Sequence, residues 1–354
     1  MANARTKLTV FIATPLEQEH VDALRAVAPD DIDVLYEPDL LPPTLYVADH
    51  KGDEAFERSP EQEQRWQENL ARADVLWDFP PRAFDGTGGL AYAPRVKWIQ
   101  GTSTGVGRTV ERLGLVGTDV LVTTARGVHA GPLAEFAMLT LLSHAKHQRY
   151  MQEESHHRRW ERFCSDDLEG RTLAIVGVGS IGLRVAAVGR AFGMRVVALA
   201  RPGSDHTAEE LGVDELFSSE RLHEMLAETD ALVLAVPDTP DTAGLMDRAA
   251  FAALKPGAVF VNVARGQVVD EVALIDALRT EQVAFAGLDV FAVEPLPAES
   301  PLWELPNVII SPHSASTVAS ENRKITEIFS HNLRCYVEGR EGDMMNVLDK
   351  ARLY

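Results

Sequence analysis

Short apolar runs recur along the chain, and most intervals between them carry apolar residues at helical spacing. Leu8 to Ala13 reads as a buried strand, and Thr14-Pro15 behind it offers a cap and first-turn pair for a helix reaching about Ala28. Asp33 to Tyr36, Val75 to Phe79, Lys97 to Gln100 and Val120 to Thr123 are further runs of strand length, so a first α/β unit is predicted. The pattern weakens between Pro38 and Trp66, a Pro-bearing, acid-rich stretch that reads as an irregular insertion or a loop-helix excursion. Pro132 to Lys146 is apolar almost all round, as a helix buried between domains or subunits would be, and marks a boundary. From Arg171 onward the rhythm is regular. Strands are predicted at Leu173 to Val176, Arg195 to Ala200, Leu232 to Val236, Ala258 to Asn262, Ala284 to Val290 and Val308 to Ser311. Helical spacing between most of them predicts a Rossmann-type, doubly wound parallel sheet. Glu321 to Tyr336 reads as a closing helix that returns to the first unit.

Composition narrows the class. A chain of 354 residues is long for one core, so two domains are expected. Ordinary proportions of hydrophobic and charged residues exclude a disordered or membrane protein. A formal charge of -19 without a basic patch opposes nucleic acid and acidic lipid surfaces, leaving a small molecule as the expected partner. An anionic ligand would then need arginines, helix N-termini and backbone amides to override the field. Cys164 and Cys335 stand alone without metal-ligand spacing, so neither a disulfide framework nor a metal site is expected. Met1 to Lys7 is polar and the apolar run after it is too short for a signal peptide or a span, which reads as cytoplasmic.

Gly177-Val178-Gly179-Ser180-Ile181-Gly182 follows a predicted strand and opens a helix with Ile181, Val185, Val188 and Phe192 on one face. In that context the first glycine permits a tight turn, the second lets backbone approach a pyrophosphate, and the third lets helix and strand pack closely. The helix N-terminus, at Ser180 and Ile181, supplies partial positive charge. An NAD-selective site usually has an acid at the end of the second strand, where this chain has Arg201. A guanidinium there would pair with a 2'-phosphate, with Ser204 as an added hydroxyl donor, so NADP(H) is favoured over NAD(H). The alternatives are an arginine that only caps the strand end, and Asp205 reaching the ribose.

Arg265, Glu294 and His313 fall after three predicted strands of the same sheet, where carboxyl ends of parallel strands bind ligands. Reduction of a 2-keto acid needs a proton donor at the carbonyl oxygen and a cation that grips carboxylate and carbonyl together. His313 suits the first task, with Glu294 to orient the ring and favour its charged form. Arg265 suits the second, since a planar guanidinium contacts both groups at once. Singly, each has a plain structural reading: an interface histidine, an arginine paired with Asp270, a turn at Glu294-Pro295. Their joint placement favours catalysis.

The chain resembles the D-2-hydroxyacid dehydrogenase family from about Trp98 to the C-terminus. The matching blocks are Gly127-Val128-His129-Ala130 with Ala134-Glu135, the glycine cradle, Val236-Pro237 with Thr239 and Thr242, Val261-Asn262-Val263-Ala264-Arg265-Gly266 with Val269-Asp270, Gly287-Leu288-Asp289-Val290-Phe291 with Glu294-Pro295, and Pro312-His313-Ser314-Ala315. The resemblance implies an arginine, glutamate and histidine triad on Arg265, Glu294 and His313, with Asp289 near the nicotinamide amide. It implies cofactor contacts at Val236, Pro237, Thr242, Val263, Ala264, Arg265 and His313 as well as the cradle. It also implies a homodimer built on the cofactor domain, including the helix from Pro132. A smaller flavodoxin-like α/β substrate domain would form from both chain ends, residues 1–125 and 313–354, with the dinucleotide-binding domain at 126–312. Gly101 to Gly107 resembles the family's substrate-carboxylate loop, in which backbone N–H groups around Thr104 and Gly105, with Ser103, Arg265 and His313, would hold the substrate. The family often has Asp or Asn where Gly107 stands. The Trp98-Ile99-Gln100 entry and Arg201 look more like the glyoxylate/hydroxypyruvate reductase branch than the phosphoglycerate or lactate branches. Trp160 and the helix near Met151 read either as pocket lining or as packing.

Two rivals remain at this stage. One is a formate dehydrogenase-like relative, against which Glu294 speaks because that group has glutamine beside its histidine. The other is a non-enzymatic, NAD(P)-sensing regulator on the same fold.

Overall fold

The computed structural model describes residues 7–80, 89–201 and 203–353; most of the polar start, Met1 to Thr6, lies outside them. The chain forms two compact units, one of residues 1–129 with 317–354 and the other of residues 130–316. The divisions fall at 129/130 and 316/317, a few residues beyond the expected 125/126 and 312/313, so His313 belongs to the unit that carries the glycine cradle.

The first unit is built on β1 (Leu8–Ile12), β2 (Ile32–Leu35), β3 (Val75–Trp77), β4 (Trp98–Gln100) and β5 (Leu121–Thr123). All are parallel, in the order β2-β1-β3-β4-β5. This flavodoxin-like order puts a switch point between β1 and β3. Alternate residues go to opposite faces. Val10, Ile12, Val75, Trp77 and Trp98 pack with Ile325 and Phe329 of the helix Glu321–Val337, while Phe11, Leu76, Ile99 and Val122 pack with Trp66 and Leu70 of the helix Pro60–Arg72.

The second unit holds β6 (Thr172–Val176), β7 (Arg195–Leu199), β8 (Glu215–Phe217), β9 (Ala231–Leu234), β10 (Ala258–Asn262), β11 (Val283–Leu288) and β12 (Val308–Ile310). The sheet is parallel throughout, in the order β12-β11-β10-β9-β6-β7-β8. β6, β9 and β10 are buried at every residue because helices cover both faces. Leu173 and Ile175 face the helices Ala130–Ala145 and Ser180–Ala191, and Ala174 and Val176 face the helices on the other side. No helix among the described residues is long and apolar enough to cross a membrane.

One local expectation is corrected, one open alternative is resolved and one strand is added. Thr14-Pro15 does not cap the first helix, which starts at Gln18 behind Glu17. Thr14 and Leu16 are buried instead, and the Tyr36 hydroxyl donates to the Leu16 carbonyl at 2.5 Å, so tertiary packing keeps this segment extended. The Pro38 to Trp66 stretch combines both forms considered for it: a single turn at Pro38–Leu40, an irregular path, then the helix Pro60–Arg72. A capping box of Ser59 with Gln62, and Pro60 in the first turn, fix that start. β8 was not foreseen, being a three-residue edge strand with one buried residue.

Candidate active site

The cradle lies at the switch point between β6 and β9. Gly177 has φ +103°, and a Cβ there would lie 2.5 Å from the Ala235 carbonyl oxygen just past β9. A Cβ on Gly182 would lie 1.9 Å from the Gly177 carbonyl oxygen, so only glycine lets the helix Ser180–Ala191 start this close to β6. At Gly179, the residue capping that helix, a Cβ would meet nothing within 4 Å. The three glycines therefore divide the work into turn, open approach and close packing, and the open position stands at a helix N-terminus suited to a pyrophosphate.

β7 ends at Leu199, and Arg201 follows after Ala200, whose N–H donates to the Phe217 carbonyl at 2.7 Å. The Ser204 N–H donates back to the Arg201 carbonyl at 3.1 Å, closing a turn, and its hydroxyl accepts from the His206 N–H at 3.4 Å. Val236 and Pro237 follow β9, where the Thr242 hydroxyl donates to the Pro237 carbonyl at 2.7 Å and accepts from the Thr239 N–H at 2.9 Å. That hydroxyl braces its own loop. Val263 and Ala264 are buried behind β10.

Arg265, Glu294 and His313 all follow strands of this sheet. Glu294 uses its two oxygens on different donors: Oε1 accepts from the Phe291 N–H at 3.0 Å and Oε2 from His313 Nδ1 at 2.8 Å. The Arg265 turn is drawn to the same place through Gly266, where a Cβ would lie 1.8 Å from the Phe291 carbonyl oxygen. Gln267 adds a hydrogen bond to the Ala292 carbonyl at 3.2 Å. Arg265 itself is partly buried, with Nη1 donating to the Ala264 carbonyl at 2.6 Å. Asp270 is engaged otherwise: its carboxylate accepts from the Ala273 N–H and caps the next helix. His313 is held at φ +54°, a left-handed conformation that a side-chain-bearing residue keeps only where its surroundings impose it.

What imposes it is Asp289, 2% exposed, whose Oδ1 accepts from the Ser311 hydroxyl at 2.7 Å and the Ala315 N–H at 2.9 Å. This bracket closes the loop carrying His313. Asn262 plays the same part for Arg265: its Oδ1 accepts from the Ala264 N–H at 3.0 Å and its Nδ2 donates to the Arg265 carbonyl at 3.2 Å. Asn262 stood inside a motif block without a role, and only the hydrogen-bond geometry supplies one.

In the first unit, the loop after β4 carries Ser103, Thr104 and Gly105. Their backbone N–H groups have no hydrogen-bond partner among the described residues, which suits an anion grip. Thr102 is tied to Asp78, its hydroxyl donating at 2.7 Å. Partial burial pushes the Asp78 carboxyl above its ordinary range, against the hydrogen bond from Thr102. Gly107 begins a short helix, and a Cβ there would lie 2.1 Å from the Leu353 carbonyl oxygen, so an Asp or Asn at this position would collide with the C-terminal segment. In the second unit, Trp160 is 96% exposed, and Met151, on a helix with no buried residue, lines an open hollow along that helix with Gln148, Gln152 and Ser155.

Comparisons with known proteins bear on this arrangement. The family model described as D-isomer specific 2-hydroxyacid dehydrogenase, NAD binding domain, matches residues 138–315. A D-3-phosphoglycerate dehydrogenase of Mycobacterium leprae is 39% identical over 250 residues, 68% of this chain but 45% of the relative, so the chain spans about half the length of that protein. A glyoxylate reductase of Aeropyrum pernix is 33% identical over 267 residues, 71% of this chain and 76% of the relative. Among solved structures, an NADPH-dependent glyoxylate/hydroxypyruvate reductase from Sinorhizobium meliloti, in complex with NADP and sulfate, is 25% identical with a TM-score of 0.76, covering 98% of this chain and all of that one. With a dinucleotide cradle at the switch point, a His-Glu pair beside the Arg265 turn, and a matched segment spanning both, the chain belongs to the D-isomer specific 2-hydroxyacid dehydrogenase family.

Proposed function

We propose that the protein reduces a small 2-keto acid of the glyoxylate or hydroxypyruvate kind to the corresponding D-2-hydroxy acid, with NADP(H) favoured over NAD(H). The observation that carries this reading is the His313–Glu294 pair at 2.8 Å, with the Arg265 turn packed through Gly266 onto the same Phe291–Ala292 backbone. A bound nicotinamide dinucleotide supplies the hydride. Gly177, Gly179, Ser180, Ile181 and Gly182 hold its pyrophosphate, and Val236, Pro237, Thr242, Val263, Ala264 and Asp289 border the rest of the site. His313 Nε2 gives its proton to the carbonyl oxygen as that oxygen gains charge, while Nδ1–H stays on Glu294. Arg265 grips carboxylate and carbonyl oxygen, and the N–H groups of Ser103, Thr104 and Gly105 hold the carboxylate.

Support for NADP(H) is the guanidinium of Arg201, with Ser204 in the same turn, where an acid would repel a 2'-phosphate. Support for a homodimer comes from exposed apolar side chains on successive segments of the cofactor unit: Leu139, Met151, Trp160 and Phe163. The protein is read as cytoplasmic on its cysteine usage. A glutamate at 294 disfavours the formate dehydrogenase-like reading.

The 39% identity to a phosphoglycerate dehydrogenase favours a second reading, a phosphorylated substrate. One steady-state screen separates them: glyoxylate, hydroxypyruvate and phosphohydroxypyruvate, each with NADPH and NADH. Turnover of the unphosphorylated acids with NADPH is expected. Preference for the phosphorylated acid would replace the substrate assignment, and no turnover of any would favour the nucleotide-sensing regulator.

A further inference from the structure

A second polar cluster, outside the triad, lies near the substrate loop of the first unit. Glu321 opens the helix Glu321–Val337 and is 5% exposed. Its Oε1 accepts from two imidazoles, His129 Nε2 at 3.0 Å and His50 Nε2 at 3.2 Å. The other ring nitrogen of His129, Nδ1, lies 3.2 Å from the Thr104 hydroxyl. Three segments distant in sequence thus form one chain of hydrogen bonds ending on the loop.

The carboxylate sets the direction of the two bonds that it receives. Burial pushes the Glu321 carboxyl up, but the bonds from His129 and His50 outweigh it and hold the group at about 2. A carboxylate can only accept, so His129 must carry a proton on Nε2. In the neutral ring Nδ1 is then a lone pair, and the Thr104 hydroxyl is the donor to it. One rotor of Thr104 is thereby selected, and the residue is tied to a buried helix start. Asp78 secures Thr102 in the same way, so the loop is held from both sides of Ser103.

We propose that Glu321, acting through His129, is a positioning residue for the substrate loop, fixing Thr104 and with it the backbone N–H groups of Ser103 to Gly105. This rests on the reading of that loop as the carboxylate grip. His50 is the second donor on the same oxygen and fixes the rotation of the Glu321 carboxylate.

The test uses the full chain with hydroxypyruvate and NADPH. His129→Phe and Thr104→Val are each expected to raise KM for the keto acid roughly 3- to 10-fold, the range of one hydrogen bond, with kcat within about twofold. Thr104→Ser, which retains the hydroxyl, is expected to recover most of that loss. The double variant His129→Phe/Thr104→Val is expected to be no worse than either single variant, because both break one linkage. Multiplying KM effects, or unchanged KM in both single variants, would overturn the relay. Should a variant fail to fold, the ring nitrogens of His129 still decide. In 15N spectra of the unaltered protein the neutral ring is expected as the Nε2–H tautomer, with a mixture in Glu321→Gln. An Nδ1–H ring would overturn the proposal. If the unaltered protein turns over no keto acid, the reading of the loop fails separately, and the tautomer still tests the relay.

Discussion

Replacing Glu294 by glutamine alters one atom yet leaves two donors competing for one acceptor. In the carboxylate, Oε1 serves the Phe291 N–H at 3.0 Å and Oε2 serves His313 Nδ1 at 2.8 Å. A glutamine has a single oxygen. If it stays with Phe291, the amide NH2 faces Nδ1 and opposes the doubly protonated ring that donates to substrate. If it turns to His313, the NH2 meets the Phe291 N–H. Losing a hydrogen bond to a charged partner costs about 1.5–3 kcal/mol, which as a barrier is roughly a 10- to 150-fold fall in kcat. Folding should hardly notice, because the two side chains are 45% and 36% exposed and such pairs contribute at most about 1 kcal/mol to stability. The assay is steady-state NADPH oxidation with glyoxylate and hydroxypyruvate, alongside NADPH affinity and thermal melting of the same preparations. Expected are a fallen kcat, an unchanged NADPH Kd and a melting point within a few degrees. A kcat within twofold of the unaltered enzyme would refute the acid-orienting role of Glu294.

Arg201→Asp should weaken NADPH by at least tenfold more than NADH, since an attraction to the extra phosphate becomes a repulsion; equal losses in fluorescence titrations would contradict the assignment. Gly182→Ala places a methyl 1.9 Å from backbone, so we expect about 1–3 kcal/mol of destabilisation in urea titrations together with weakened binding of both cofactors. Glu321 adds an acid limb to stability. Its folded value of about 2 lies below the ordinary 4.5, so the contribution is complete above about pH 4.5 and is lost as pH falls toward 2. The amount is about 3 kcal/mol. Urea midpoints between pH 3 and 7 should therefore slope less in Glu321→Gln, and parallel slopes would count against it. Leu139→Glu combined with Trp160→Ala should shift the light-scattering mass toward one chain, whereas an unchanged mass would remove that surface from the dimer.

The apolar runs alone determined the strand-helix alternation and, except for the edge strand β8, the parallel sheet of the second unit, because strands buried on both faces read as near-continuous apolar runs. The cradle was equally legible, since Gly177, Gly179 and Gly182 act within one turn of chain. The capping box at Ser59 and Gln62 was readable but lay in a stretch whose acidic composition hid it. Tertiary structure alone decided the rest. Thr14-Pro15 has the local signature of a helix start, yet burial of Thr14 and Leu16 overrides it. Asn262 and Asp289 turned out to be brackets for Arg265 and His313, a role set by hydrogen-bond angles that residue type does not encode. Glu321 meets His129 across 192 residues of chain, and no periodicity reports a contact of that span. Local pattern fixes which segments can bury a face; which polar groups then meet depends on where the packed elements end.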